Sequence, residues 1–247
     1  MSQPKILLSK DQYVPLVLFG CVHIGHKNAD MDMAKRYVEW AQKNKAYALL
    51  LSDNFENAIP QKAHMMFDQV IDPQDQIDYG EELFKPIRKQ IMGLVQGNHS
   101  NRTRKEAGLD MDRELAIRLG IRQRYSPNQG FVALKAGKNH YSIAFRHGSG
   151  VGSNTFGNCI NLMRAFPTAD ICAASHTHET ATTTRGFWDV VKGKRIKRDV
   201  TLINTGSLMD YPRYADQAYY SPNKKGFAIA WLGKQEKEVI VDVSGVI

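Results

Sequence analysis

The sequence predicts an α/β fold in which two mixed β-sheets pack as a sandwich flanked by helices. Three observations carry that expectation. Short apolar runs bounded by turn residues recur along the chain and read as buried strands. In the first half they alternate with helical patterns, which implies βαβ units and a largely parallel sheet. In the second half short strands follow one another through turns, which implies a second, mixed sheet packed on the first, with helices outside.

The buried strands are expected at Val14–Phe19, Ala46–Leu51, Ile91–Gln96, Tyr141–Arg146 and Ile171–Ala174. Between the first two, Ala34, Tyr37, Val38 and Ala41 share one face of a helix running from Ala29 to about Asn44. A second helix follows Asp72 and uses Ile77, Phe84, Ile87 and Ile91, with a kink at Pro86. A third starts on Asp110 as its N-cap and stops at Gly120. The second sheet takes Phe131–Leu134, Tyr141–Phe145, Phe187–Val191, Val200–Ile203, Phe227–Trp231 and Val239–Val243, with turns such as Lys192-Gly193-Lys194.

Composition limits the function classes. With 43% apolar and 23% charged residues in 247, the chain has enough material for a core, and residues 1–247 are expected to form one domain, since no repeat or linker divides them. There is no run of eighteen apolar residues, so no membrane span is expected, and Met-Ser-Gln-Pro-Lys has no signal-peptide core. Cys21, Cys159 and Cys172 are odd in number and form no C-x-x-C pair, which points to a reducing cytoplasm. The net charge is +8, and residues 101–200 hold 17 Lys/Arg against 8 Asp/Glu. That half should attract anions such as phosphate-bearing substrates, although a solvated, solubilising face accounts for the same charge.

Each of five strand ends runs into a short polar cluster: Gly20-Cys21-Val22-His23-Ile24-Gly25-His26, Ser52-Asp53-Asn54-Phe55-Glu56-Asn57, Gly97-Asn98-His99-Ser100, His147-Gly148 and Ser175-His176-Thr177-His178. A single histidine at a strand end is usually a packed or surface residue; repetition at four strand ends points to metal ligation. Imidazole, carboxylate and amide oxygen suit Zn, Mn or Fe. A pair of such ions about 3.5–4 Å apart needs a bridging carboxylate, for which Asp53 is placed.

In order and spacing these clusters resemble the calcineurin-like metallophosphoesterase family, whose signature runs D-x-H, G-D-x-x-D/E, G-N-H-D/E, H and G-H-x-H. The resemblance covers roughly residues 14–210, and it implies that family's four-layer fold. Pro73–Tyr79 and Asp210–Ala215 are similar to phage-encoded members, which would place the protein in a host cytoplasm. By the resemblance, His23, Asp53 and His178 hold one metal, and Asp53, Asn98, His147 and His176 hold the other. His99 is the catalytic histidine and Glu56 supports the site from behind. The cofactor is a pair of divalent ions, Mn, Zn, Fe or Ni.

Three positions depart from the signature. Cys21 replaces the first Asp ligand, Ser52 the usual Gly, and Ser100 the acid after G-N-H. Cys21 either ligates, favouring Zn or Fe over Mn, or packs as a small apolar residue. The expected activity is hydrolysis of a phosphodiester in DNA, RNA or a nucleotide. The alternatives are a phosphomonoesterase and a degenerate member that binds metal or nucleic acid without catalysis. Arg102 and Arg104 are candidates to grip phosphate, the basic Lys192–Arg198 hairpin to follow a backbone, and Tyr211, Tyr214, Tyr219 and Tyr220 to stack on bases. No membrane partner is expected, and the oligomeric state is not encoded legibly.

Overall fold

The computed structural model of the chain describes residues 11–60, 63–150, 154–210, 224–245 and 247. In chain order the elements are β1 (Tyr13–Phe19), α1 (Met31–Asn44), β2 (Tyr47–Leu50), α2 (Ala63–Met66), α3 (Pro73–Phe84), β3 (Ile91–Val95), α4 (Ser100–Ala107), α5 (Met111–Arg118), β4 (Tyr125–Ser126), β5 (Gln129–Ala136), β6 (Asn139–Arg146), α6 (Gly157–Ala165), β7 (Ile171–Ala174), β8 (Ala181–Val191), β9 (Lys194–Asn204), β10 (Ala228–Gly233) and β11 (Val239–Asp242). One sheet has the order β11-β10-β1-β2-β3-β4 and the other β5-β6-β7-β9-β8.

Burial explains the layering. Along β1, Leu16 and Leu18 face one side of the sheet while Val17 and Phe19 face the other, the period-two alternation of a strand buried on both faces. The first side meets the second sheet, where Leu16, Leu18, Leu49 and Val95 pack with Tyr141, Ile143, Phe145 and Ile203. The other side is covered by Tyr37 and Val38 of α1, Phe84 of α3 and Leu115 of α5. Cys159 and Leu162 of α6 cover Cys172 and Leu202 on the outer face of the second sheet. The result is helix, sheet, sheet, helix: the expected sandwich of two mixed sheets. The sheets approach so closely that a Cβ on Gly93 would collide with the Phe145 ring.

Two sequence expectations are corrected. Phe227–Trp231 and Val239–Val243 were expected in the second sheet, but β10 pairs antiparallel with β1 and β11 with β10. Their apolar character is satisfied in the first sheet, with Ala230 and Leu232 toward the second sheet and Ile229 toward the helices. The helix after Asp72 does not reach Ile91. It ends at Phe84 and tightens into a 3-10 turn at Lys85–Ile87, because Pro86 has no N–H for the α-ladder; Ile91 opens β3 opposite Ala48. Three helices were not expected, the short α2, α4 and α6. Of the stretches similar to phage-encoded members, Pro73–Tyr79 opens α3; Tyr211–Ala215, with Tyr219 and Tyr220, lies outside the described residues.

This topology positions the clusters. β1, β2 and β3 run parallel, and so do β6, β7 and β9. Hydrogen bonds join the carboxyl rims of the two sheets: Thr205 Oγ1 donates to Leu18 O at 2.6 Å and Ser175 Oγ to Leu51 O at 3.0 Å. The loops that leave those rims therefore meet.

Candidate metal centre

Of nine non-glycine residues with positive φ among the described residues, six are Cys21, His23, Ser52, Asp53, His176 and His178. Each such conformation costs on the order of 1 kcal/mol, and their concentration at the strand ends marks a site whose geometry overrides local preference. The loop after β1 is zipped to the loop after β2 by Cys21 N to Ser52 O (2.8 Å), His23 N to Asp53 O (3.0 Å) and Ile24 N to Asn54 O (2.7 Å). Gly97 has to be glycine, since a Cβ there would strike Asp53 Oδ1.

All seven residues expected to hold metal are brought together. His23 Nε2 lies 3.2 Å from His178 Nε2. His147 Nε2 lies 2.7 Å from Asn98 Oδ1, 3.0 Å from Asp53 Oδ2 and 3.2 Å from His176 Nδ1. Cys21 belongs to both halves. Its Sγ lies within 4.8 Å of the His23 and His178 nitrogens, and of the Asp53 and His147 ligand atoms. His99 adjoins the set, with its backbone N donating to Asp53 Oδ1 at 3.0 Å and its ring Nε2 3.9 Å from Asp53 Oδ2.

The hydrogen bonds on the outside of the cluster fix which imidazole nitrogen faces inward. His23 Nδ1–H donates to Glu56 Oε2 at 3.0 Å, His147 Nδ1–H to Leu51 O at 2.9 Å, and His176 Nε2–H to Gly150 O at 3.2 Å. Each outer nitrogen holds its proton on a protein acceptor, so each inner nitrogen presents a lone pair. The interior is then lined by acceptors, three imidazole nitrogens, the Asp53 carboxylate and the Asn98 carbonyl, with too few protons among them. Such a donor set fits divalent cations, and the mixture of nitrogen and oxygen suits Zn, Mn, Fe or Ni.

Electrostatics agree with this reading. Burial lowers the pKa of His23 to about 3 and that of His99 to about 4 despite the Asp53 charge, and burial also holds His178 well below its usual value. Burial opposes the charge on His147 too, but the Asp53 carboxylate outweighs it and the pKa rises. Asp53 is in turn held well below the carboxylate range by His147 and His99, against the effect of burial. Asp53 and His147 thus favour positive charge between them, where a cation would sit.

A pH dependence follows. His23, His99 and His178 resist the protons that the unfolded chain accepts near pH 6.5. Stability from these groups is complete above about pH 6.5 and falls as pH drops toward 4, by about 1.4 kcal/mol per unit per group. His147, Glu56 and Asp112, with raised pKa values, contribute in the opposite direction, while His26 and His176, also lowered by burial, add to the fall. Melting of chelator-treated protein should show Tm dropping between pH 7 and 4.5; a flat or rising Tm would contradict the buried neutral histidines.

Cys21 is fully buried, and burial followed by the Asp53 charge pushes its thiol well above the usual pKa. Without metal it keeps its proton, and a bound cation has to displace it. Cys21→Ala is expected to weaken one metal site and spare the other, and Cys21→Asp to shift preference from Zn toward Mn, as read by competitive metal titration. Equal affinities in native and Cys21→Ala protein would leave Cys21 as packing alone.

The remaining expected residues are placed as follows. Glu56 is buried, accepts from His23 Nδ1–H, and has Oε1 without a hydrogen bond, 4.0 Å from Arg102 Nη1. Arg102 turns inward, donating to Glu56 O at 2.9 Å and Asn57 O at 3.3 Å, so it braces the loop rather than pointing at solvent. Arg104 is partly exposed and donates to Gln96 Oε1 at 3.0 Å. The Lys192–Arg198 segment is the tip of the β8–β9 hairpin, and because β8 runs away from the His178 end of its sheet, that tip lies at the end opposite the cluster. Asn57 stood in the second polar cluster without a role, and Asp112 was missed. Asn57 Nδ2 donates to His99 O at 2.7 Å, tying the loop to the start of α4. Asp112 is a fully buried carboxylate beneath the loops that carry Asp53 and Asn98. The one signal for Asp112 was its place in the first turn of a helix beside Asp110.

No family model and no curated relative matches the chain. Solved structures similar to it include Vacuolar Protein Sorting 29 from Cryptosporidium parvum, at 14% identity over 94% of this chain and 98% of that one, with a TM-score of 0.47. Vps29 from Entamoeba histolytica complexed with zinc is similar at 12% identity over 93% and 97%, with a TM-score of 0.40. A conserved uncharacterized protein from Streptococcus pneumoniae, a predicted phosphoesterase, is similar at 11% identity over 93% and 98%, also with a TM-score of 0.40.

Proposed function

We propose that the chain is a phosphoester hydrolase dependent on two metal ions, acting on phosphodiesters of nucleic acid or a nucleotide. The observation that supports it most is the inward-facing acceptor set, with every outer imidazole nitrogen of His23, His147 and His176 already satisfied. Cys21, His23, Asp53 and His178 would hold one ion; Asp53, Asn98, His147 and His176 would hold the other. Bound there, the ions would supply Lewis acidity toward phosphoryl oxygen and a water of lowered pKa. Glu56 keeps His23 in the ligating tautomer, and Arg102 keeps Glu56 in place.

His99 is outside both ligand sets. Its Nδ1–H is held by Glu56 O at 2.7 Å, which leaves Nε2 to act on the substrate. With its pKa lowered to about 4 by burial, the imidazole is neutral at neutral pH. A phosphoester arriving beside it raises its proton affinity, so that Nε2 can take up a proton from solvent as the substrate binds and then pass it to the leaving oxygen. Arg104, at the rim, is better placed than Arg102 to meet phosphate oxygens.

The test is a stripped protein reloaded with Mn, Zn, Fe or Ni and assayed on an aryl phosphodiester and an aryl phosphomonoester. Faster diester hydrolysis is expected. Preference for the monoester would favour a phosphatase, and tight metal binding without turnover a non-catalytic member.

The nucleic-acid part of the reading rests on the β8–β9 hairpin, where Arg195 stacks on the exposed Trp188 with its guanidinium carbon 4.0 Å from the ring centroid. From Ala181 to the Val191 end, ten steps at ~3.3 Å give roughly 33 Å, about ten nucleotides at ~3.4 Å each. KM for an oligonucleotide of that length should climb steeply with salt, and neutralising Lys192, Lys194 and Arg195 should flatten the climb. A dinucleotide should show little of either. Salt-independent KM for the long substrate would remove nucleic acid from the proposal.

A further inference from the structure

Asp112 has no exposure to solvent, although it stands in the first turn of α5 only two residues from that helix's N-cap, Asp110. Its carboxylate accepts four-square from the metal loops: Oδ2 from Ser52 Oγ at 2.6 Å and Gly97 N at 3.2 Å, and Oδ1 from Asn54 Nδ2 at 2.9 Å. Ser52 and Asn54 flank Asp53, and Gly97 precedes Asn98 and His99. A single carboxylate therefore holds the backbone on both sides of Asp53 and the entry to the Asn98-His99 turn.

Two of the three departures from the expected sequence pattern lie beside this carboxylate. Ser52, in place of glycine, supplies one of its hydrogen bonds. Ser100, in place of an acid, is fully buried and its Oγ has no hydrogen-bond partner; burial raises the Asp112 pKa to about 6, and the hydroxyls of Ser52 and Ser100 and the amide of Asn54 oppose that rise. An acid at position 100 would bring a second carboxylate into the same buried space, where two like charges would not both ionise. The negative charge missing at 100 is present, from another helix, at 112.

We infer that Asp112 is a positioning residue which stands in for the acid absent at Ser100, and that its carboxylate sets the Asp53 and Asn98 loops at the separation their metal ions require. The inference rests on the two-metal reading of the site. It gives a reason for both serines, and it makes Asp112 part of the metal centre without contact to a metal.

The test reads metal affinity by calorimetric titration with Mn and with Zn, alongside the Tm of the metal-free protein. Asp112→Asn keeps the shape but turns one acceptor into a donor facing Ser52, Gly97 or Asn54. The folded variant should bind metal roughly 10–100-fold more weakly, the range for groups that orient ligands. Asp112→Ala should do the same, and Asp112→Ala combined with Ser100→Asp should regain most of the lost affinity. A purely structural role would lower the Tm of all three variants and leave the affinity of the folded fraction unchanged. Native affinity in Asp112→Asn, or a double variant no better than Asp112→Ala, would overturn the inference. Should Asp112→Asn not fold, Asn54→Ala removes one donor and keeps the carboxylate; weaker binding is expected, and unchanged binding overturns it. A native protein that binds neither metal would instead fail the two-metal reading itself.

Discussion

Asp53→Asn is expected to lose at least one metal ion and nearly all turnover, a fall of roughly 10³-fold or more, since both ions lose their shared ligand. The structure leaves asparagine no neutral orientation. Asp53 Oδ1 accepts from His99 N at 3.0 Å and Oδ2 faces His147 Nε2 at 3.0 Å. An amide NH₂ in the first position opposes a backbone donor. In the second it opposes the inner face where a cation would be held. The substitution also has a readout without metal. The raised pKa of His147 is sustained by the Asp53 charge, so in Asp53→Asn that imidazole should titrate below its native value, followed by NMR of the ring protons. Full metal content with near-native activity would remove Asp53 from the bridging position. A His147 pKa that does not move would contradict the coupling between the two side chains.

How much of this was legible beforehand depended on what each residue buries. β1, β2, β3 and β7 could be read because strands covered on both faces become continuous apolar runs. α1 could be read because its buried face, Ala34, Tyr37, Val38 and Ala41, repeats at helical spacing. α4 was not legible: Ser100 is its one buried residue, so its sequence carries no stripe. β10 and β11 were recognised as strands but assigned to the wrong sheet. An apolar strand records that both its faces are covered, not which strand it pairs with.

The site divides along the same line. Its candidate ligand residues were legible because histidine and asparagine are conspicuous at the ends of apolar runs, and because loops leaving parallel strands are delivered to a common rim. Their support was not. Asp112 and Asp110 look equivalent in sequence, two acids in a helix start, and only their partners separate a helix cap, which accepts from Arg113 N, from a carboxylate that ties loops together. Arg102 and Arg104 look equivalent too, but the helical turn of α4 sends one inward to Glu56 and the other, more exposed, to Gln96. In general the metal-facing atoms announce themselves by residue type, while the groups that aim them are ordinary residues in unusual surroundings.

His99→Ala separates holding the metals from using them. His99 contributes its backbone N–H to Asp53, and that bond survives removal of the ring. The ring itself touches Glu56 O through Nδ1 and packs edge-on against His23, with centroids 4.7 Å apart. It supplies no atom to either proposed ligand set, so metal content and KM should stay close to native. Turnover should fall by roughly 10²–10⁴-fold, the usual contribution of a positioned proton donor. The pH profile adds a signature. If the ring works protonated in the substrate complex, kcat falls as pH rises through the His99 pKa in that complex, and His99→Ala should lack this alkaline limb. A leaving group that needs no proton, such as an activated aryl oxide, should lose much less than a poor one. Loss of metal together with activity would make His99 a ligand or a structural prop, and equal losses for good and poor leaving groups would remove it from proton transfer.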